Sequence, residues 1–183
     1  MRLFVGIPLA AVVVDELTRL TTRLHRADDG LRWSMPESWH ITLQFLGSST
    51  RDQYECTLAR LHEIHLAPVP IRLDAPGFFE RAGVFFAGVH PSTALTALER
   101  HVVAATTLCG FTPEMRPYNP HITLARSKGK DGVRSLRGLK ARLQAVPEFS
   151  TFIANEFLLY ESKPMPTGSV YEVRERFTLG AAR

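Results

Sequence analysis

The chain has 183 residues, 45% of them hydrophobic and 22% charged, which is enough apolar content for one core and excludes disorder. A net charge of +4 and a pI near 9.4 favour anionic partners such as phosphates, nucleotides or RNA. Cys56 and Cys109 form neither a CxxC pair nor a metal spacing, so they argue against a disulfide framework and fit a reducing cytoplasm.

Residues 2–7 read as a buried strand that Pro8 ends. The opening MRLFVGIPLAAVVV resembles a signal peptide in having a basic residue before an apolar run. Pro8 interrupts that run, however, Asp15 and Glu16 follow it, and no A-x-A site closes it. A strand passing into a helix is the expectation instead. Val13, Leu17, Leu20 and Leu24 recur at helical spacing until Gly30 breaks the pattern. Arg32 to Met35 read as a short strand before Pro36, and 39–46 as a strand rich in β-formers that Gly47 ends.

Thr50 with Gln53 predicts a capping box. The helix that follows would carry Tyr54, Leu58, Leu61 and His65 along one side and stop at Pro68 and Pro70. Residues 71–79 and 84–89 read as strands joined by a hairpin turn at Arg81-Ala82-Gly83. Ser92 is placed to cap a helix over 93–108, with Gly110 as its stop. Pro117 and Pro120 stiffen the approach to the next strand. KGKDG at 128–132 reads as an exposed loop, followed by a short helix near 133–144. Strands at 149–160 and 170–179 close the chain, joined by a mobile segment, KPMPTGS, at 163–169. A mixed α/β or α+β organisation follows, and no stretch is long enough to cross a membrane.

One tetrapeptide occurs twice. HITLQFLG begins at His40 and HITLARSK begins at His121. Side chains alternate along a strand, so His40 and Thr42 share one face while Ile41 and Leu43 share the other; His121, Thr123, Ile122 and Leu124 repeat the arrangement. Each copy presents an apolar side to a core and an imidazole–hydroxyl pair to something else. Both copies sit in similar strand–helix surroundings, which suggests an internal duplication that brings His40 and His121 together across a cleft.

Two imidazoles flanking one phosphorus can complete a reaction. The neutral one takes a proton from the attacking oxygen, and the protonated one gives a proton to the leaving oxygen. Thr42 and Thr123 can donate to the non-bridging oxygens. No metal is required, and a strained cyclic phosphate is the natural substrate. Arg126 lies on the apolar parity of its strand: it is either a surface residue at a strand end or, if a bulge turns it, a phosphate contact. Phe45 also has core parity, with base stacking as its functional alternative. Trp39 either shapes the cleft or packs at its edge. His62 and His65, in HEIH, lack the zinc-protease spacing, His25, His90 and His101 have no partner pattern, and the P-loop, dinucleotide and nucleophile-elbow motifs are absent.

Taken with RLFVGIPL, LRWSMPESWHITLQFLG, RPYNPHITLARS and EFLLYESKP, the paired motifs resemble the two-histidine phosphoesterase superfamily, in particular its RNA 2′,3′-cyclic phosphodiesterase or 2′-5′ RNA ligase branch. The resemblance covers nearly the whole chain. It implies an α+β fold over 1–183, one domain of two pseudo-two-fold-related lobes, whose antiparallel sheets face a central cleft with the helices outside. It implies His40 as general acid and His121 as general base, with Thr42, Thr123 and Arg126 on the phosphate. It also implies hydrolysis of RNA 2′,3′-cyclic phosphate ends to 2′-phosphates without metal or other cofactor, and a ligase reaction as the near-reversal. A monomer in the cytoplasm, away from membranes, is expected. The alternatives are another substrate, such as a 2′-5′ oligonucleotide, and a non-catalytic protein that binds RNA ends.

Overall fold

A computed structural model describes residues 1–129, 132–145, 147–165 and 168–180. The elements in chain order are β1 (Arg2–Pro8), α1 (Ala11–Leu24), β2 (Leu31–Trp33), β3 (His40–Ser48), α2 (Arg51–His62), β4 (Val69–Ile71), β5 (Leu73–Phe79) and β6 (Val84–Val89). They continue with α3 (Thr93–Thr107), β7 (His121–Ser127), α4 (Gly132–Arg142), β8 (Phe152–Ala154), β9 (Glu156–Met165) and β10 (Gly168–Thr178). Two four-stranded antiparallel sheets dominate, in the orders β10-β9-β1-β3 and β2-β7-β6-β5. The α+β organisation is therefore borne out.

The halves are built alike. In one, β1 leads through α1 to its neighbour β3 and then α2; in the other, β6 leads through α3 to its neighbour β7 and then α4. β9 flanks β1 as β5 flanks β6. One face of each sheet packs into a common core. Leu3, Val5 and Ile7 of β1, Ile41 of β3, Phe85 of β6 and Ile122 of β7 all lie in it. α1 contributes Val13, Leu17, Leu20 and Leu24, the four positions expected from helical spacing. Apolar burial of this kind contributes about 25 cal/mol per Å², so the core fixes which face of each motif strand remains for the site.

Several local expectations hold. The Thr50–Gln53 capping box is complete, Ser92 caps α3 through the Leu95 amide, and Gly110 follows α3 at φ 84°, where a Cβ would be strained. Arg81-Ala82 lie in a single 3-10 turn that Gly83 closes at φ 65°.

Others are corrected. The strand expected over 71–79 is two strands, because β4 leaves the sheet to pair with β8 as a separate ribbon. The strand expected over 149–160 likewise divides at Asn155 into β8 and β9. KPMPTGS is largely strand, since β9 runs to Met165 and β10 starts at Gly168; residues 166–167 lie outside the described set. Of the KGKDG loop, 130–131 also lie outside it, and Gly132 already begins α4. α2 ends at His62, so His65 stands beyond it and is exposed, while Ile64 takes the buried place.

Cys56 and Cys109 form a disulfide, contrary to the expectation from the sequence. They lie 53 positions apart, on α2 and just beyond α3, so no short motif reveals that these helices pack side by side. A cross-link over a loop of this size stabilises by about 3–4 kcal/mol, mainly by restricting the unfolded chain. Cys56→Ser is expected to lower unfolding stability by that amount in urea titrations, and dithiothreitol should bring the wild type to the same value.

Candidate active site

The paired motifs form adjacent walls of one site. β3 and β7, one from each sheet, approach within 8 Å between Cα atoms. The Tyr118 hydroxyl, on the segment leading into β7, donates to the Thr42 carbonyl at 3.1 Å. Alternation puts Ile41 and Ile122 in the core at 0% exposure and leaves His40, Thr42, His121 and Thr123 half-buried on the opposite face.

Each imidazole is fixed in the same way. His40 Nδ1 lies 2.8 Å from the Ser38 carbonyl, and His121 Nδ1 lies 2.8 Å from the Asn119 carbonyl. A carbonyl oxygen only accepts, so Nδ1 carries the hydrogen in both rings and donates it. The proton-exchanging atom is then Nε2 in each case. The two rings thus share one tautomer, set by the backbone two residues upstream.

Aromatic side chains surround each ring. His40 packs against Phe4 with centroids 4.6 Å apart and meets Tyr171 edge-on at 5.2 Å. His121 meets Phe79 at 5.0 Å and Phe86 at 5.4 Å, both edge-on. Removal from water disfavours the charged form. Burial first, with a smaller contribution from the nearby His121 and against the pull of the Ser38 carbonyl, accordingly lowers His40 to about 4. Burial also lowers His121; the Asn119 carbonyl opposes the shift and Arg126 adds to it. Arg126 is thus a cationic neighbour of His121, and His121, when charged, disfavours a charge on His40.

The register explains Arg126 and Phe45. Val5 pairs with Gln44 and Gly6 with Thr42, so β3 carries an extra residue, Leu43, relative to β1. Phe85 pairs with Ala125 and Phe86 with Thr123, so β7 carries the same extra residue, Leu124, relative to β6. A bulge at this point reverses the parity of the residues that follow it, and on β3 a second shift comes at Leu46, between the Phe4–Phe45 and Leu3–Gly47 pairs. Leu43 and Gln44 both turn inward, as do Leu124 and Ala125. The amide oxygen of Gln44 accepts from the Thr106 hydroxyl of α3 at 2.6 Å.

Beyond the bulge, Phe45 does not enter the core as its parity suggested. It is 59% exposed on the site face, 5.9 Å from Phe4. Arg126, its counterpart on β7, turns to the His121 side and lines a cavity of about 370 Å³. Arg32 and Trp33 of one sheet, Ser169 to Tyr171 of the other, and Ser34, Met35, Glu37 and Ser38 between β2 and β3 complete that lining. Trp39, by contrast, belongs to the core at 5% exposure.

Sequence reasoning missed the aromatic walls, Tyr118 and Arg32. The one available signal was parity: Phe4 and Gly6 alternate with core residues on β1 and therefore had to face the site. Among the described residues, no group of three or more His, Cys, Asp or Glu side chains is arranged to hold a metal ion.

Comparison with known proteins identifies the family. The model of the 2′-5′ RNA ligase superfamily matches residues 9–163. The chain is 30% identical to a Thermus thermophilus protein named RNA 2′,3′-cyclic phosphodiesterase, over 98% of this chain and 90% of the other. It is 29% identical to a protein of the same name from Methanothermobacter thermautotrophicus, over 98% and 99% of the two chains. A solved structure of a Thermus thermophilus protein superimposes with a TM-score of 0.81 at 28% identity, covering 100% of both chains. Escherichia coli LigT in complex with 3′-AMP gives a TM-score of 0.81 at 23% identity over 97% of each chain, a likeness of fold.

Proposed function

The chain belongs to the 2′-5′ RNA ligase superfamily, and from that premise we propose that it is an RNA 2′,3′-cyclic phosphodiesterase that opens the cyclic end to a 2′-phosphate. One observation carries this reading: two imidazoles of the same tautomer, each offering Nε2, stand on strands of the two sheets that approach within 8 Å between Cα atoms.

The chemistry balances without further groups. His121 Nε2 takes a proton from water as its oxygen bonds to phosphorus. The P–O3′ bond breaks, and His40 Nε2–H delivers its proton to O3′. Thr42 and Thr123 donate to the non-bridging oxygens as charge develops, with Arg126 beside them. His40 is left neutral and His121 charged, and solvent restores both. The low proton affinity of His40 suits a donor: an anionic phosphate beside the ring raises it enough to charge the imidazole, and the ring gives that proton up to O3′ as negative charge develops there. A 5′-hydroxyl that attacks in place of water, with the same two proton transfers, joins the ends through a 2′-5′ linkage, which is the ligase reaction.

Incubation with a 2′,3′-cyclic nucleotide in excess EDTA is expected to give sustained turnover and only the 2′-phosphate by NMR. Chelator-sensitive turnover would refute the metal-independent paired-imidazole route, and a 3′-phosphate product would refute cleavage of the P–O3′ bond. Faster turnover of 2′-5′ oligonucleotides would redirect the substrate, and RNA binding without turnover would favour an RNA-end binder.

A further inference from the structure

β2 is three residues long and adds one strand beyond the motif strand β7. Leu31 and Trp33 face inward: Leu31 is buried, and the Trp33 ring packs edge-on against Phe85 and donates to Asp29. Arg32 must then face the other way, and it is exposed. Its Cα partner on β7 is Arg126.

Directly opposed residues on an antiparallel ladder share a face, with Cβ atoms about 4.5–5.5 Å apart, and like charges there repel. Ladders normally relieve such a pair with a carboxylate. Here the ion pairs among the described residues involve other arginines, and neither Arg32 nor Arg126 takes part in one. Both line the cavity between the sheets, where Ser34, Ser169 and Tyr171 add polar groups. Glu37 is the acidic side chain of that lining and is in no ion pair with them. Two unneutralised guanidiniums on one wall of a polar cavity form a site for anionic oxygens.

Resting on the reading above, in which Arg126 meets the cyclic phosphate, we propose that Arg32 holds the next backbone phosphate, the one 5′ to the terminal nucleotide. A strand end carries that second phosphate one nucleotide from the reacting one, whereas a free 2′,3′-cyclic nucleotide has none. The second guanidinium then makes the site a reader of RNA ends rather than of free cyclic nucleotides, and the repulsion between the two arginines is relieved only when both phosphates are bound.

The test compares a 2′,3′-cyclic nucleotide with the same nucleotide carrying a 5′-phosphate. Wild type is expected to favour the 5′-phosphorylated form about tenfold in kcat/KM, a size typical of one charge-assisted contact. Arg32→Ala should bring that ratio close to one, and Arg32→Lys should keep part of it. For the 5′-phosphorylated form, the slope of log affinity against log salt should fall by about 0.7 in Arg32→Ala. Its thermal midpoint should stay level or rise, because a repulsion is removed, which separates lost binding from lost folding.

A wild type indifferent to the 5′-phosphate, or an Arg32→Ala variant that keeps the full ratio, overturns the proposal. Fluorescence anisotropy with a trinucleotide ending in a 2′-phosphate separates the two readings. Weaker binding by Arg32→Ala supports the subsite even if wild type turns over no cyclic nucleotide, in which case the phosphodiesterase reading alone fails. Equal binding beside normal turnover removes the subsite alone.

Discussion

His121→Ala is expected to lower kcat on a 2′,3′-cyclic nucleotide by about 10³-fold or more, and His40→Ala by a similar factor, with the fold retained in both. One positioned acid or base contributes roughly 10²–10⁴ in rate, and each ring also has a charge to share with the phosphate. Because the two protons move in one displacement, the double variant should be little worse than either single one. Folding should survive because both rings lie on the site face, while the hydrophobic partners that anchor their strands, Ile41 and Ile122, are untouched. Steady-state kinetics read the loss and circular dichroism reads the fold. Added imidazole should restore part of the His121→Ala rate, since that half-buried ring faces the solvent-open side of the site, and less of the His40→Ala rate, since His40 is packed among Phe4, Tyr160 and Tyr171. A His121→Ala protein retaining a tenth of wild-type kcat would end the proposal that this ring is the base.

The residues whose loss matters most are also those the sequence made legible. Alternation alone puts His40 with Thr42 and His121 with Thr123 on a face away from the core, because a one-residue shift would bury an imidazole and expose an isoleucine. Helical spacing located the buried side of α1, and Thr50 with Gln53 marked the start of α2. What alternation could not supply was the bulge. Parity carried past Leu43 and Leu124 sends Phe45 and Arg126 into the core, whereas the extra residue in each strand returns both to the site. Nothing local announces it: the compensation for Gln44 is a hydroxyl on α3, at Thr106. The Cys56–Cys109 bridge and the Arg32–Arg126 pair were hidden for the same reason, since each depends on which elements become neighbours. The β4–β8 ribbon is a further case, formed from two ends that sequence patterning had merged into longer strands.

Acidification from neutral pH to pH 4 is expected to destabilise the protein by about 3 kcal/mol through His40 alone. In the unfolded chain this imidazole titrates near 6.5; in the folded protein burial holds it at about 4. Between those values the unfolded chain binds a proton that the folded protein refuses, so stability falls as pH falls, by about 1.4 kcal/mol for each pH unit crossed. The contribution is fully present above pH 6.5 and is gone by about pH 4. His121, lowered by its own burial, adds to the loss in the same direction. Urea unfolding at pH 7 and pH 4 should show His40→Gln losing about 3 kcal/mol less than wild type over that interval; an equal loss would mean that the ring is not held neutral by its surroundings. The same linkage ties this instability to function. An anion between the imidazoles offsets the cost of charging the buried His40 ring, so binding must take up a proton and tighten as pH falls. Sulfate, whose charge is constant over this range, is the probe that isolates the effect. Its affinity should rise from pH 8 to pH 5 in wild type, with the His40 Cε1–H resonance shifting toward the protonated position, and should lose most of that rise in His40→Gln. The cost of charging a buried imidazole is thereby offset when a phosphoryl group arrives, and the ring becomes a proton donor only with substrate in place.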